Sequence, residues 1–321
     1  MKILIILTLY LLDFCLLFSQ EYFINSHDYI HNQYQLNIGK NWEDHTTIGS
    51  SRYNNLSHSL NEHVHDSLIF NSKLGLELFF NENRESACVF FHSIARLNNF
   101  YVYSHPRIVT DGEVVPRFSG LARDRSRLNF NAGEVDMSGI GYDNRRFIFQ
   151  IGRGRQSWGS GDDISIVLSD RSRSYDYFLF GFKHKKIRYR YFNGFLENKD
   201  DYLRYISGRG IEYHNNKNFI ISFSEISIYS GLNRPLDFSY LNPISSHLEI
   251  DMNDRANKLN SDQGNASWQF SLDWMIRSNI RISSNLVIDE FKLDKVEIDS
   301  GRKHGLAFSI SSVFQPNLNK R

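Results

Sequence analysis

A two-residue alternation of apolar and polar side chains, repeated in about a dozen short segments, constrains this chain more than any other feature. A period of two is typical of β-strands, because successive side chains of a strand point to opposite faces of its sheet. Gly, Asn and Asp residues separate the segments, and no segment keeps a helical period over three turns. The sequence therefore predicts an all-β, antiparallel fold.

The predicted strands cover residues 68–81, 87–103, 126–138, 146–154, 163–169, 174–183, 187–197, 203–214, 218–229, 266–277, 280–291 and 303–314. The clearest hairpin is "YDYFLFGFKHKKIRYRYFNGF", residues 175–195. One of its faces is apolar, formed by Phe178, Phe180, Phe182, Ile187, Tyr189 and Tyr191. The other face carries Arg188 and Arg190. Such a hairpin suits either a soluble sandwich with an apolar core or a membrane barrel with a wet lumen.

The N-terminal stretch "MKILIILTLYLLDFCLLFSQ" predicts a secretory signal peptide at residues 1–20, with an uncleaved anchor as the alternative. Residues 21–65 are polar and irregular, and we interpret them as a periplasmic leader. Residues 66–321 form the predicted β-barrel domain. If the signal peptide is removed, Cys88 is the one remaining cysteine, and we expect it to be a small apolar packing residue.

The predicted signal peptide, the absence of an internal disulfide and a dozen strands, most of them long enough to span a bilayer, together favour a transmembrane barrel. The mean hydropathy of −0.43 argues against a helical membrane protein, but a barrel faces lipid with every second residue only. We predict an antiparallel transmembrane β-barrel of about 12–16 strands in the bacterial outer membrane. Its expected partners are the lipid bilayer and the barrel-assembly machinery. A secreted β-sandwich or β-helix is the structural alternative, and the net charge of +1 argues against nucleic acid as a partner.

Several pieces between about residues 150 and 291, taken in order, carry a family resemblance. They are "GRGRQSWGSGDDISIVLSD", "YRYFNGFLE", "RYISGRGIEY", "ISFSEISIYSG", "PLDFSYLNPISSHLE", "NKLNSDQG" and "LVIDEFK". This region resembles the Wzi-like capsule assembly proteins of bacterial outer membranes. The family-motif positions are Gly152, Trp158, Gly159, Gly161, Ser224, Glu225, Tyr240, Asn242, Pro243 and Asp289.

The resemblance implies a non-enzymatic barrel that binds or organises surface polysaccharide. Members of that family are longer and end in an aromatic-ended strand, whereas this sequence ends in "QPNLNKR". The predicted barrel is therefore either incomplete at its C-terminal end or a shortened variant. The candidate polysaccharide contacts are Arg153, Arg155, Arg188 and Arg190, because guanidinium groups bind carboxylates and sulfates. The same arginines suit internal salt bridges equally well.

The stretch "GRGRQSWGSG", Gly152 to Gly161, lacks the following helix and the Lys-Ser/Thr ending of a phosphate-binding loop, so we interpret it as a strand end and a loop. Trp158 is expected to pack at a barrel rim or to stack on a sugar. His63 and His65 lack a third ligand at a recognisable spacing, and the sequence predicts neither metal nor cofactor.

The first alternative function is a diffusion porin, which would use the same polar lumen. A glycosidase using Asp162, Asp163, Asp289 or Glu290 is the second.

Overall fold

The computed structural model describes residues 42, 45–49, 68–81, 83–123, 128–144, 146–161, 165–252, 264–290 and 305–314. This part of the chain forms one twelve-stranded antiparallel sheet in which neighbouring strands follow each other along the chain. The strands are β1 (Ile69–Asn81), β2 (Arg84–Leu97), β3 (Phe100–Val109), β4 (Ala132–Asp143), β5 (Phe147–Gly154), β6 (Tyr175–His184), β7 (Ile187–Lys199), β8 (Tyr202–His214), β9 (Phe219–Leu232), β10 (Gly264–Arg277), β11 (Ile280–Glu290) and β12 (Gly305–Phe314). The all-β antiparallel prediction is confirmed.

Two short helices, α1 (Phe238–Leu241) and α2 (His247–Met252), lie in the connection between β9 and β10. The Asp237 side chain begins α1, because its Oδ1 accepts a hydrogen bond from the backbone N–H of Ser239 at 2.9 Å. Within the described ranges, no helix is long and apolar enough to cross a bilayer. The predicted signal peptide and the His63/His65 pair lie outside the described residues.

The 175–195 hairpin forms as predicted. Phe182 pairs with Tyr189 and Phe180 pairs with Tyr191, so these side chains share one face. Arg188 points to the opposite face, where it is buried together with Leu179. The alternation of apolar and cationic residues therefore identified both faces of β6 and β7 correctly.

Two predicted strands are wrong. The segment 87–103 is a hairpin, because the chain turns at Asn98 and Asn99, with Asn98 at a φ of 53°. Asparagine tolerates this left-handed conformation better than most residues, and tight hairpins require it. The segment 163–169 does not form a strand in its described part, 165–169, where Leu168 makes a single bridge to Trp158.

The sheet has two contrasting faces. We call the face that contacts residues 45–49 and 155–168 the inner face, and the opposite one the outer face. Large apolar side chains are exposed along the outer face, among them Phe70, Leu74, Ile140, Phe149, Ile211, Phe270 and Phe308. The inner face combines an apolar cluster, to which Leu179 and Phe192 belong, with hydrogen-bonded polar groups. For example, Gln150 contacts the hydroxyls of Tyr101, Tyr103 and Tyr177 at 2.6–2.9 Å. Cys88 is buried beside Val109 and Phe118, which confirms its packing role.

The sheet curves around its inner segments. Residues 155–160 can extend over about 18 Å of backbone at most. In a flat sheet, β4 and β11 would lie about 34 Å apart, since neighbouring strands are about 4.8 Å apart. Nevertheless Arg155 contacts Asp136 of β4 and Ser160 contacts Asn285 of β11. Within the described residues, β1 and β12 each pair with one neighbour.

The connections differ between the two ends of the strands. At one end, the turn end, every connection is short: 98–99, 144–146, 185–186, 215–218 and 278–279. At the other, the loop end, four connections are long: 110–131, 155–174, 233–263 and 291–304. The long loops are therefore concentrated at one end of the strands.

Candidate functional site

Residues 45–49 form an inner segment held on the inner face by a buried carboxylate. Glu212 accepts hydrogen bonds from the Thr47 backbone N–H at 2.6 Å, the Thr47 hydroxyl at 2.8 Å and the Thr46 hydroxyl at 3.2 Å. Arg188 Nη1 lies 3.1 Å from Glu212 Oε1 and also donates to the His45 carbonyl. This ion pair therefore fastens a segment that precedes it by more than 140 residues.

A second ion pair holds the start of the same segment. His45 Nε2 lies 2.8 Å from Asp273 Oδ2, and Arg281 Nε donates to Asp273 Oδ1 at 2.7 Å. Asp273 is fully buried, so its charge depends on these partners. The inner segment thus connects β7 and β8 with β10 and β11.

Trp158 lies in the interior, which corrects the expectation of a barrel rim or a sugar platform. The side chain is 1% exposed, and its ring centroid lies 5.4 Å from that of Phe192. Trp158 bridges both Ile48 of the inner segment and Leu168 of its own loop. The reason is that the loop after β5 folds back onto the inner face instead of extending past the strand ends.

The glycines of this turn have separate structural reasons. Gly159 and Gly161 have φ values of +127° and +85°, which favour glycine, and Gly159 N–H donates to the Thr47 carbonyl at 2.8 Å. At Gly152 a Cβ would lie 2.8 Å from Gly139 Cα, because β4 and β5 approach closely there. These three family-motif glycines thus permit the inner packing.

The four candidate arginines lie in different environments. Arg155 is buried, with Nη1 3.1 Å from Asp136 Oδ2 and Nε donating to the Ser172 carbonyl at 2.7 Å. Arg153 belongs to the outer face, where it pairs with Asp176 at 3.2 Å.

Arg188 and Arg190 share the inner face, as predicted, and Arg190 Nη1 donates to the Ile48 carbonyl at 3.3 Å. Both arginines therefore contact the inner segment. A role of these four arginines in polysaccharide binding stays a prediction.

Residues 233–252, which we call the strap, cover part of the outer face of β7–β10. The Glu225 carboxylate connects three elements there. It accepts from the Trp268 indole at 2.8 Å and from the His247 backbone N–H at 3.0 Å, and it lies 3.4 Å from Arg209 Nε. Ser224 points to the inner face, opposite Gly210. The neighbouring residues Ser224 and Glu225 therefore make contacts on opposite faces of β9.

Three neighbouring carbonyls attach the strap to the sheet. The Tyr191 hydroxyl donates to the Tyr240 carbonyl at 2.8 Å, and Arg209 Nη1 donates to the Asn242 carbonyl at 3.4 Å. The Tyr189 hydroxyl donates to the Pro243 carbonyl. The Tyr240 ring also stacks on Tyr229, with centroids 4.0 Å apart. The Tyr-Leu-Asn-Pro motif is therefore explained by attachment of the strap.

The loop end carries exposed arginines that sequence reasoning missed. Arg123 lies in the 110–131 loop, and Arg171 and Arg173 lie in the 155–174 loop; all three are exposed. The two loops touch, because Arg117 Nη1 donates to the Asp170 carbonyl at 3.3 Å. We call Arg123, Arg171 and Arg173 the cationic rim. The spacing of Arg171 and Arg173 in a polar stretch was a usable signal, but the contact between their loop and the loop that carries Arg123 depends on the fold.

The remaining motif position, Asp289, accepts from the Ser267 hydroxyl at 2.5 Å near the loop end of β10 and β11. Sequence reasoning also missed Glu212, Asp273 and Arg281, whose side chains contact the inner segment. In the described ranges, no group of three His, Cys, Asp or Glu side chains is placed to hold a metal. No protein-family model and no curated protein sequence matches the chain, so the resemblance noted above stays a prediction.

Proposed function

We propose that this chain is a transmembrane β-barrel of the bacterial outer membrane that binds surface polysaccharide without altering it chemically. The outer face supports the membrane part, because exposed Phe, Leu and Ile side chains occur along it on most strands. Eleven of the twelve strands have ten or more residues, and a tilted strand needs about 9–11 to span a bilayer. With twelve strands, β1 and β12 run antiparallel, so their free edges can pair and close the barrel.

Part of the lumen of this barrel is filled. Residues 45–49 and Trp158 occupy the inner face between β7 and β11, and buried hydrogen bonds of Thr47 with Glu212 and of Ser160 with Asn285 hold these two segments. An open porin needs that space for water and solutes. The occupied part of the lumen favours a binding role at the surface over the alternative role in diffusion.

The observation that carries the binding proposal is the cationic rim. Short turns face the periplasm and longer loops face the exterior in barrels of this kind, so the rim lies outside the cell. Exposed guanidinium groups there can donate charge-assisted hydrogen bonds to carboxylates or sulfates of an acidic polysaccharide. The resemblance to capsule assembly proteins points to the same class of ligand.

A non-enzymatic role fits the inner carboxylates. Glu134, Asp136, Glu212 and Asp273 each lie in an ion pair with an arginine. A glycosidase needs two carboxyl groups that flank a sugar bond. These four carboxylates instead hold internal segments and neighbouring strands in place.

The test compares two triple variants of the purified protein in detergent micelles. Replacing Arg123, Arg171 and Arg173 by Gln should weaken binding of polygalacturonate, an anionic polysaccharide, by about tenfold or more, at roughly 0.5 kcal/mol per exposed contact. The matched control replaces Lys185, Lys186 and Lys217, exposed at the turn end, by Gln. The control should bind as the wild type does, and neutral dextran should bind to none of them. Equal affinity of the two triple variants would refute the proposed site.

A further inference from the structure

One part of the outer face is polar where a membrane barrel has to be apolar. Cross-strand pairs define a row across β6–β12: Phe180, Tyr191, Arg209, Glu225, Trp268, Ile288 and Leu306. The row is apolar at both ends and charged at its centre. The next row toward the loop end reads Phe178, Asn193, Ser207, Ser227 and Ala266, and is likewise polar at its centre. Bare contact of these central residues with lipid would be costly, since unpaired polar groups lose water there.

The strap covers this polar patch. Arg209, Glu225, Asn193, Ser207 and Ser227 are all buried beneath it or by their neighbours. The strap achieves this with polar contacts on its sheet-facing side, through Asn242 and His247. Its apolar Ile250 is also fully buried. The charged centre of the row is therefore satisfied by protein groups.

The other side of the strap is apolar and exposed. Phe238 and Ile244 are each 80% exposed, and Leu236 and Leu248 are each 41% exposed. Side chains of this type on a solvent-exposed segment form an apolar patch that needs a partner. The strap therefore covers a polar part of the sheet and presents an apolar surface in its place.

The exposed apolar side chains of the outer face form a band, and the height of this band along the strands differs between β1 and β8. On β1 the outer apolar side chains run from Phe70 to Phe80, about 34 Å along the strand, or about 26 Å along the membrane normal at a tilt of about 40°. On β8 the exposed apolar residues are Tyr213 and Ile211, about 7 Å apart, and Arg209 follows. Without the strap, the band on β8 would be far shorter than the roughly 25 Å that barrels present to lipid.

We propose that the side of the strap carrying Phe238, Ile244 and Leu248 faces the lipid of the outer leaflet and completes the apolar band over β7–β10. The partner is the acyl region of the bilayer, because the strap continues the exposed apolar surface of Ile211 and Phe223 toward the loop end. Tyr189 contacts Pro243 of the strap, and the Trp268 indole shares the Glu225 carboxylate with His247. Aromatic side chains are enriched at membrane interfaces in this way. The proposal rests on the membrane residence proposed above.

The test places a fluorophore on single cysteines at Ile244, Phe149 and Ser172, in a chain with Cys15 and Cys88 replaced by Ala. Ile244 probes the strap, Phe149 the outer face of β5, and Ser172 the exposed 155–174 loop. The protein is reconstituted in phosphatidylcholine vesicles that contain acyl-chain spin labels. Ile244 and Phe149 should be quenched several-fold more than Ser172, whereas aqueous iodide should quench Ser172 most. Heat-dependent gel mobility confirms assembly, and Phe238→Cys is a second strap position.

The outcomes separate this proposal from the one on which it rests. Quenching by lipid at Phe149 but not at Ile244 or Phe238 would overturn the lipid-facing strap and leave membrane residence intact. No lipid quenching at any position would overturn both. Protection of Ile244 from lipid and iodide alike, in a chain that cross-links as a dimer, would assign the strap to a second copy and also refute the proposal.

Discussion

Glu212 offers the sharpest test of the filled inner face. Its replacement by Gln keeps the volume of the side chain but removes the charge that balances Arg188 and accepts from Thr46 and Thr47. Breaking one partner of a buried ion pair costs about 3–5 kcal/mol, and the retained amide oxygen still accepts one hydrogen bond. We therefore expect Glu212→Gln to weaken the attachment of residues 45–49 by about 3 kcal/mol, or about 160-fold in the opening equilibrium.

Hydrogen exchange followed by mass spectrometry measures this opening at the inner segment. Peptides that contain Thr47 should exchange about two orders of magnitude faster in Glu212→Gln than in the wild type, because exchange follows local opening. The control is Glu197→Gln, which removes the exposed ion pair with Arg204 and should change exchange at Thr47 by less than about threefold. If the two variants give the same exchange at Thr47, then Glu212 does not hold the inner segment and the reasoning is wrong.

Two further predictions concern the outer face and the interior. Phe149→Arg should lower the yield of refolding into lipid vesicles, because an arginine in the middle of a lipid-facing band costs about 2–4 kcal/mol, while Leu121→Arg in the exposed 110–131 loop should leave the yield unchanged; equal yields would contradict the assignment of the outer face. Trp158→Ala should lower the free energy of unfolding by about 3–5 kcal/mol, measured by urea titration, because it empties a fully buried site between Ile48, Leu168 and Phe192; a loss below about 1 kcal/mol would place the indole outside the core.

The strand faces were predictable because they depend on local alternation alone. The hairpin of β6 and β7 needs only the order of its residues, and its faces were assigned correctly. The β2–β3 hairpin was missed because apolar residues continue on both sides of Asn98 and Asn99, so the alternation hid the turn. The two asparagines were the available signal, since a tight turn needs positive φ.

The site was less predictable because its contacts are remote in sequence. The shared face of Arg188 and Arg190 follows from their spacing, but their contacts with His45 and Ile48 do not. Trp158 was misplaced for a related reason. Its loop contains alternating residues that suggest a strand, and only the inward path taken at Gly159 and Gly161 brings the ring into the interior.

The inner segment also has a kinetic consequence. His45 contacts Arg281 across 236 positions, and Thr47 contacts Glu212 across 165. Such long-range contacts form late, because the entropy of closing the intervening chain has to be overcome first. Residues 45–49 are synthesised before every strand that holds them, and after export they stay without their partners until β11 has joined the sheet. The order of synthesis and the order of assembly are therefore opposed at this segment, and a folding intermediate with an assembled sheet and an unattached N-terminal segment is the expected slow species.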